Sequence, residues 1–136
     1  MKKFFSTEPL WYDGGLFVVR LILGIFMIYH GWEIFSEEKM SVYKPWEQFK
    51  DNMWLIYLGK GAELVGGILM ALGWLTRLAA LIIAGTMAYI AFFVGNGIVW
   101  YNDQHPFMFV LLALVFVFTG PGCYSLDAAR ELKKEK

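Results

Sequence analysis

Lys60 and Glu63 are the only charged residues in MWLIYLGKGAELVGGILMALGWL, the stretch from Met53 to Leu75. About 20 apolar residues are enough to cross a bilayer. An acid and a base one helical turn apart in such a stretch can hold each other as an ion pair, or exchange a proton with something bound beside them. An unpaired carboxylate there is costly, so Glu63 must be paired or carry a proton. At about 100° per residue Lys60, Glu63, Gly67 and Met70 share one side of a helix, flanked by Gly59 and Gly66. Small residues let a second helix approach closely, so this helix is expected at the centre of a bundle with Glu63 turned inward.

Other polar residues reach the same level. The first apolar run, LFVVRLILGIFMIYHGWEIF, places Arg20, Gly24, Met27 and Gly31 on one stripe, with His30 on the same half of the helix. At about 1.5 Å per residue His30 lies ~21 Å into that run, Glu63 ~15 Å and Lys60 ~10 Å from the far end of an antiparallel second run, and Tyr89 ~16 Å into a third. Glu63 is therefore the candidate for proton exchange, and His30, Lys60 and Tyr89 are candidate binding residues. Arg20, only ~6 Å inside its helix, is a further candidate, as an interfacial anchor or a second partner for Glu63. Each has a plainer reading: a structural Lys60–Glu63 pair, a histidine bonded to a carbonyl, a core tyrosine.

Other chemistries find no support. His105 is expected at the outer surface beside Asp103, above His30, and no HExxH spacing occurs, so neither a metal site nor a haem is expected. Cys123 is alone and can form no internal disulfide or thiol relay. The glycines of GKGAELVGG sit inside an apolar helix with no strand before them, which is not a phosphate loop. The formal net charge is zero, which gives no basis for nucleic-acid binding.

The elements that must position these residues are legible in the hydropathy. The chain has 58% apolar side chains and a mean hydropathy of +0.50, above an ordinary soluble domain. We read an all-α integral membrane four-helix bundle in one domain, 1–136, with spans at about 16–35, 53–75, 78–96 and 103–120 and a charged surface tail at 123–136. Lys2 and Lys3 precede an apolar run as in an export signal, but that run is too long and lacks a small-residue cleavage pattern, so it is kept as a span. The polar connection Ser36–Asn52 either lies its Tyr43, Trp46 and Phe49 against the membrane interface or is solvated. The short WLTRLAA joint makes spans two and three antiparallel neighbours, and Ala80, Ala84, Ala88, Ala91 and Gly95 form a packing seam. The fourth span is short and uncharged. GPG at Gly120–Gly122 ends it, and Ser125 is placed to cap a short last helix. Lys2, Lys3, Arg77, Arg130, Lys133, Lys134 and Lys136 fall on one side of the membrane, against Lys39, Lys44 and Lys50 on the other. The positive-inside rule then puts both termini in the cytoplasm.

RLILGIFMIYHGWEIF, KGAELVGGILMALGWLTRLAA and the closing GPGCYSLD, in this order and spacing, resemble the DoxX family of small bacterial membrane proteins, which is related to the DoxD subunit of thiosulfate:quinone oxidoreductase. The resemblance covers nearly the whole chain. It implies a multi-pass protein of the bacterial inner membrane, an accessory subunit that meets quinone, with the redox centre on a partner protein because this chain carries no recognisable electron carrier. In that reading Glu63 exchanges the proton, His30 or Tyr89 hydrogen-bonds the quinone ring and Lys60 stabilises negative charge. Family members often carry a lysine where this chain has Trp32-Glu33, so no role for that lysine transfers. Two alternatives stay open: a non-enzymatic membrane scaffold that stabilises partners, and a small transporter or proton pathway, which with four helices requires a homo-oligomer.

Overall fold

The computed structural model describes residues 6–46, 49 and 52–134, and every regular element among them is helical. The chain runs α1 (Tyr12–Gly31), a tighter 3₁₀ turn (Trp32–Phe35), the short α2 (Glu37–Ser41), α3 (Met53–Leu72), α4 (Thr76–Tyr89) continued by a wider π-helical stretch (Ile90–Val94), α5 (Gln104–Thr119) and α6 (Leu126–Lys134). Three of these segments are long and apolar enough to cross a membrane: Tyr12–Phe35, Met53–Leu72 and Thr76–Val94. The fourth, Gln104–Thr119, is apolar but shorter. Large apolar side chains such as Ile25, Leu58, Leu81 and Phe118 point outward, as a bundle solvated by lipid requires.

The first helix starts at Tyr12, four residues before the expected boundary of about 16. Asp13 lies in its first turn, where a carboxylate favours the helix dipole, and Gly14 packs beneath the Trp11 ring. The second span, α3, ends where Gly73 takes a left-handed backbone (φ 68°), with the Trp74 amide bonding back to the Leu69 carbonyl. The third span departs from a regular α-helix after Tyr89. Gly95 donates to the Ile90 carbonyl at 2.7 Å, and the Asn96 and Ile98 amides bond to the Asp103 carboxylate, which lies where a Gly95 Cβ would stand. The turn into α5 thus overrides the last turn of the helix.

Lipid is as apolar as a leucine side chain, so close packing rather than water exclusion must hold helices together. Here glycines do it. A Cβ on Gly24 would come within 2.6 Å of the Ala71 nitrogen, one on Gly67 within 2.7 Å of the Ile28 nitrogen, and one on Gly31 would strike the backbone of Leu64. α1 and α3 therefore touch backbone to backbone along their length. α4 packs on α3 and α5, and the main core gathers Leu23 and Met27, Met70, Ala80 and Ile83, and Phe116 from these four helices. The Arg20–Gly24–Met27–Gly31 stripe is buried; of the alanine seam, Ala80, Ala84 and Ala91 are buried and Ala88 is partly so.

The connection after α1 does not lie out along the interface. Met40 and Phe49 are buried with Ile56 of α3 in a second small core, and Tyr43 packs against it, so this segment folds over the end of the bundle. Lys2, Lys3, Lys50 and Lys136 of the sequence reading lie outside the described residues.

Candidate functional site

Under that cap lies a cavity of about 250 Å³ between α1, α3, α4 and α5. Its walls are largely apolar, from Ile56, Met87, Ile90 and Phe109 among others, and its polar lining includes His30, Tyr43, Lys60, Glu63, Thr86, Tyr89 and His105. Glu63 is 3% exposed and Lys60 9% exposed. α3 delivers both from its small-residue face, as the i, i+3 spacing demands.

Lys60 is held by two carboxylates. Its Nζ stands 3.1 Å from Glu63 Oε2 on its own helix and 2.9 Å from Glu33 Oε2, from the 3₁₀ turn that ends the first span. The Tyr43 hydroxyl donates to the same Glu33 oxygen at 2.9 Å, and Lys60 Nζ lies 5.3 Å from the Tyr43 ring centroid. The exposed Lys39 reaches Glu33 Oε1 at 3.9 Å, at the margin of ion-pair distance. Burial raises the pKa of the Tyr43 phenol, and although the Lys60 charge opposes this, donation to Glu33 adds to it. The phenol thus stays a neutral donor, and it fastens the cap to the charged cluster.

The structure brings four of the sequence candidates, Glu63, Lys60, His30 and Tyr89, to this one cavity. Tyr89 borders it from α4 with its ring stacked on Phe93 at 5.3 Å, and remains 43% exposed. His30 meets His105 with ring centroids 5.8 Å apart, and both pack edge-on to Phe109. The expected separation in depth between the two histidines is thus corrected: α1 ends at Gly31, so His30 sits in its last turn, level with the first turn of α5. No group of three His, Cys, Asp or Glu side chains able to hold a metal ion occurs among the described residues.

Arg20 does not join the cavity. It lies ten residues before His30, ~15 Å along the helix, too far for a contact with Glu63. Its guanidinium donates instead to the carbonyls of Pro121 (2.6 Å) and Tyr124, under Gly73, and its buried Nε has no hydrogen-bond partner among the described residues. Beside it Asp127 accepts from the Leu75 amide (2.8 Å) and from the Thr76 amide and hydroxyl (2.9 Å each). The tail read as lying on the surface is therefore anchored at its start. Ser125 caps α6 by accepting from the Ala128 amide at 3.1 Å and is itself buried.

Glu33, Tyr43 and His105 complete the site, and sequence reasoning gave none of them a role in it. Glu33 had a signal: it stands three residues after His30, at the end of an apolar run antiparallel to the one that carries Lys60. Tyr43 had none, because its place depends on how the connection folds back.

The fold and the site together define a small helical membrane protein with a charged cluster lining an apolar-walled cavity. The DoxX family matches residues 15–96, and the chain belongs to that family. The match contains Glu33, Lys60, Glu63 and Tyr89 and stops before α5 and α6. An uncharacterized protein of Haemophilus influenzae (strain ATCC 51907 / DSM 11121 / KW20 / Rd) is 34% identical over 116 residues, 80% of this chain and 85% of its own. The inner membrane protein YqjF of Escherichia coli (strain K12) is 31% identical over 127 residues, 85% of this chain and 91% of its own. No solved structure matches the chain.

Proposed function

We propose that this DoxX protein is an accessory subunit of a membrane oxidoreductase, and that its cavity receives the head group of a lipid-soluble quinone. The cavity carries the reading: a half-open, apolar-walled slot with a few convergent polar groups is what a flat, carbonyl-bearing ring needs. The residues present fit such a ring. Lys60 uses two of its three N–H donors on carboxylates, Glu63 engages Lys60 through Oε2 and leaves Oε1 as an acceptor, and His30, His105 and Tyr89 add ring nitrogens and a hydroxyl. Glu63 is the group placed to hold and pass a proton, and Lys60 to offset negative charge on a bound oxygen. The quinone would supply the redox chemistry, with electrons coming from a centre on a partner protein.

The relative named as an inner membrane protein and the surplus of Lys and Arg on one side support a multi-pass inner-membrane protein with both termini in the cytoplasm. A scaffold role has its own support, since a lysine held between two carboxylates is also what a structural ion cluster looks like. Mass spectrometry of organic extracts from gently solubilised protein separates the two. Quinone in near-equal ratio to the protein, lost in a folded Glu63→Gln variant, supports the quinone site; no quinone in either, with folding normal, leaves the scaffold.

A further inference from the structure

The end of the bundle opposite the Lys60 cavity carries a second, polar cleft of about 580 Å³, walled by the start of α4, the Gly120–Gly122 turn and one face of α6. Its charged lining is Arg77, Arg130 and Lys134 against Asp127 and Glu131. Both oxygens of Asp127 are already occupied by the Leu75 and Thr76 donors. Arg77, Arg130 and Lys134 make no hydrogen bond or ion pair with any described residue, Glu131 included. Three cations from two helices thus face one cleft without a direct ion-pair partner among the described residues, and they outnumber the two carboxylates beside them.

The position of the cleft says where an anion would come from. Thr76 opens α4 and Thr119 closes α5, so the cleft sits where two apolar segments end. Exposed Trp11, Trp74 and Tyr124 surround this end, the side chains that favour head-group depth. α6 presents Asp127, Arg130, Glu131 and Lys134 to the cleft at i, i+3, i+4, i+7 spacing, while Leu126 and Leu132 are exposed on its other side. A short helix with a charged face and an apolar face lies in the plane of the interface.

We propose that this cleft binds the phosphate-bearing head group of an anionic membrane lipid, clamped by Arg77, Arg130 and Lys134. The proposal is independent of what fills the Lys60 cavity.

Native mass spectrometry of the whole chain in neutral detergent tests it, with phosphatidylglycerol and phosphatidylcholine of identical acyl chains offered at equal concentration. A surface cation strengthens anionic-lipid binding by about fivefold, so a preference for phosphatidylglycerol well above that is expected, falling toward equality in Arg77→Gln/Arg130→Gln. The control Lys44→Gln/Lys133→Gln removes the same charge outside the cleft and should keep the preference. Arg77 and Arg130 are exposed and unbonded, so folding should survive; Arg130→Gln/Lys134→Gln, confined to α6, should show the same loss. Equal binding of the two lipids by the native chain, or a preference that both variants retain, overturns the proposal. So does inorganic phosphate binding with no lipid preference, which would mark a site for a free anion.

Discussion

Lys60 of α3 and Glu33 at the end of the first span meet at 2.9 Å, although both lie in segments that sequence hydropathy reads as lipid-crossing. This pair ties the end of one span to the middle of the next. Through Tyr43 it also fastens the folded-back connection over the cavity.

Removing Lys60 leaves Glu33 and Glu63 facing each other without their shared cation. Breaking a buried pair from one side costs about 3–5 kcal/mol, so Lys60→Met should be strongly destabilised in denaturant titrations in mixed micelles. Lys60→Met/Glu63→Leu should recover much of that loss. A single variant as stable as the native chain would show that the cluster is solvated rather than enclosed.

Tyr43→Phe keeps the ring and deletes one donor to a carboxylate. A hydrogen bond to a charged group is worth about 1.5–3 kcal/mol, less here because Tyr43 is only half-buried. Faster amide exchange confined to 37–46, with α3 and α4 unchanged, is the expected result. Unaltered exchange would mean that the hydrophobic contacts of Met40 and Phe49 alone hold the cap.

The glycines divide sharply by what surrounds them. Gly24→Ala and Gly67→Ala must push α1 and α3 apart and should each cost about 1–3 kcal/mol. A Cβ on Gly61 or Gly85 meets nothing within 4 Å, so alanine there should stay within about 0.5 kcal/mol of the native chain. Thermal unfolding of the four variants in one detergent makes the comparison.

Asp127 gives acid sensitivity at the other end. Burial pushes its pKa up, but the Thr76 and Leu75 amides, the Thr76 hydroxyl and the Arg20 charge outweigh this and hold it below the ordinary aspartate value. A carboxyl with a lowered folded pKa adds stability above its unfolded pKa and loses it as pH falls through the folded one. The melting temperature should therefore drop below about pH 4, and Asp127→Asn should be less stable at neutral pH with a flatter acid limb. Parallel acid limbs would assign the sensitivity to another group.

Asp127 also explains Leu75, the one described non-glycine residue with a positive φ (48°). That conformation is sterically unfavourable for leucine and persists because the Leu75 and Thr76 amides both point at the Asp127 carboxylate. Nothing in WLTRLAA announces this, since the partner lies 52 residues away.

The helices, and which of their faces turn inward, follow from hydropathy and residue spacing along the chain. Long apolar runs must become helices in lipid because no water is present to satisfy the backbone, and glycines and charges at helical spacing can only be sheltered on a packed side. Those two rules placed Lys60 and Glu63 inward and buried the Arg20–Gly31 stripe. What those side chains meet depends on how the segments pack against one another. That packing sent Arg20 to the carbonyls of the last turn instead of to Glu63, supplied Lys60 with Glu33, set His30 level with His105 and folded Phe49 and Tyr43 over the cavity. Each of these pairings joins residues distant in the chain or depends on where a helix starts or how a connection returns, and periodicity along one segment carries no information about the segment across from it.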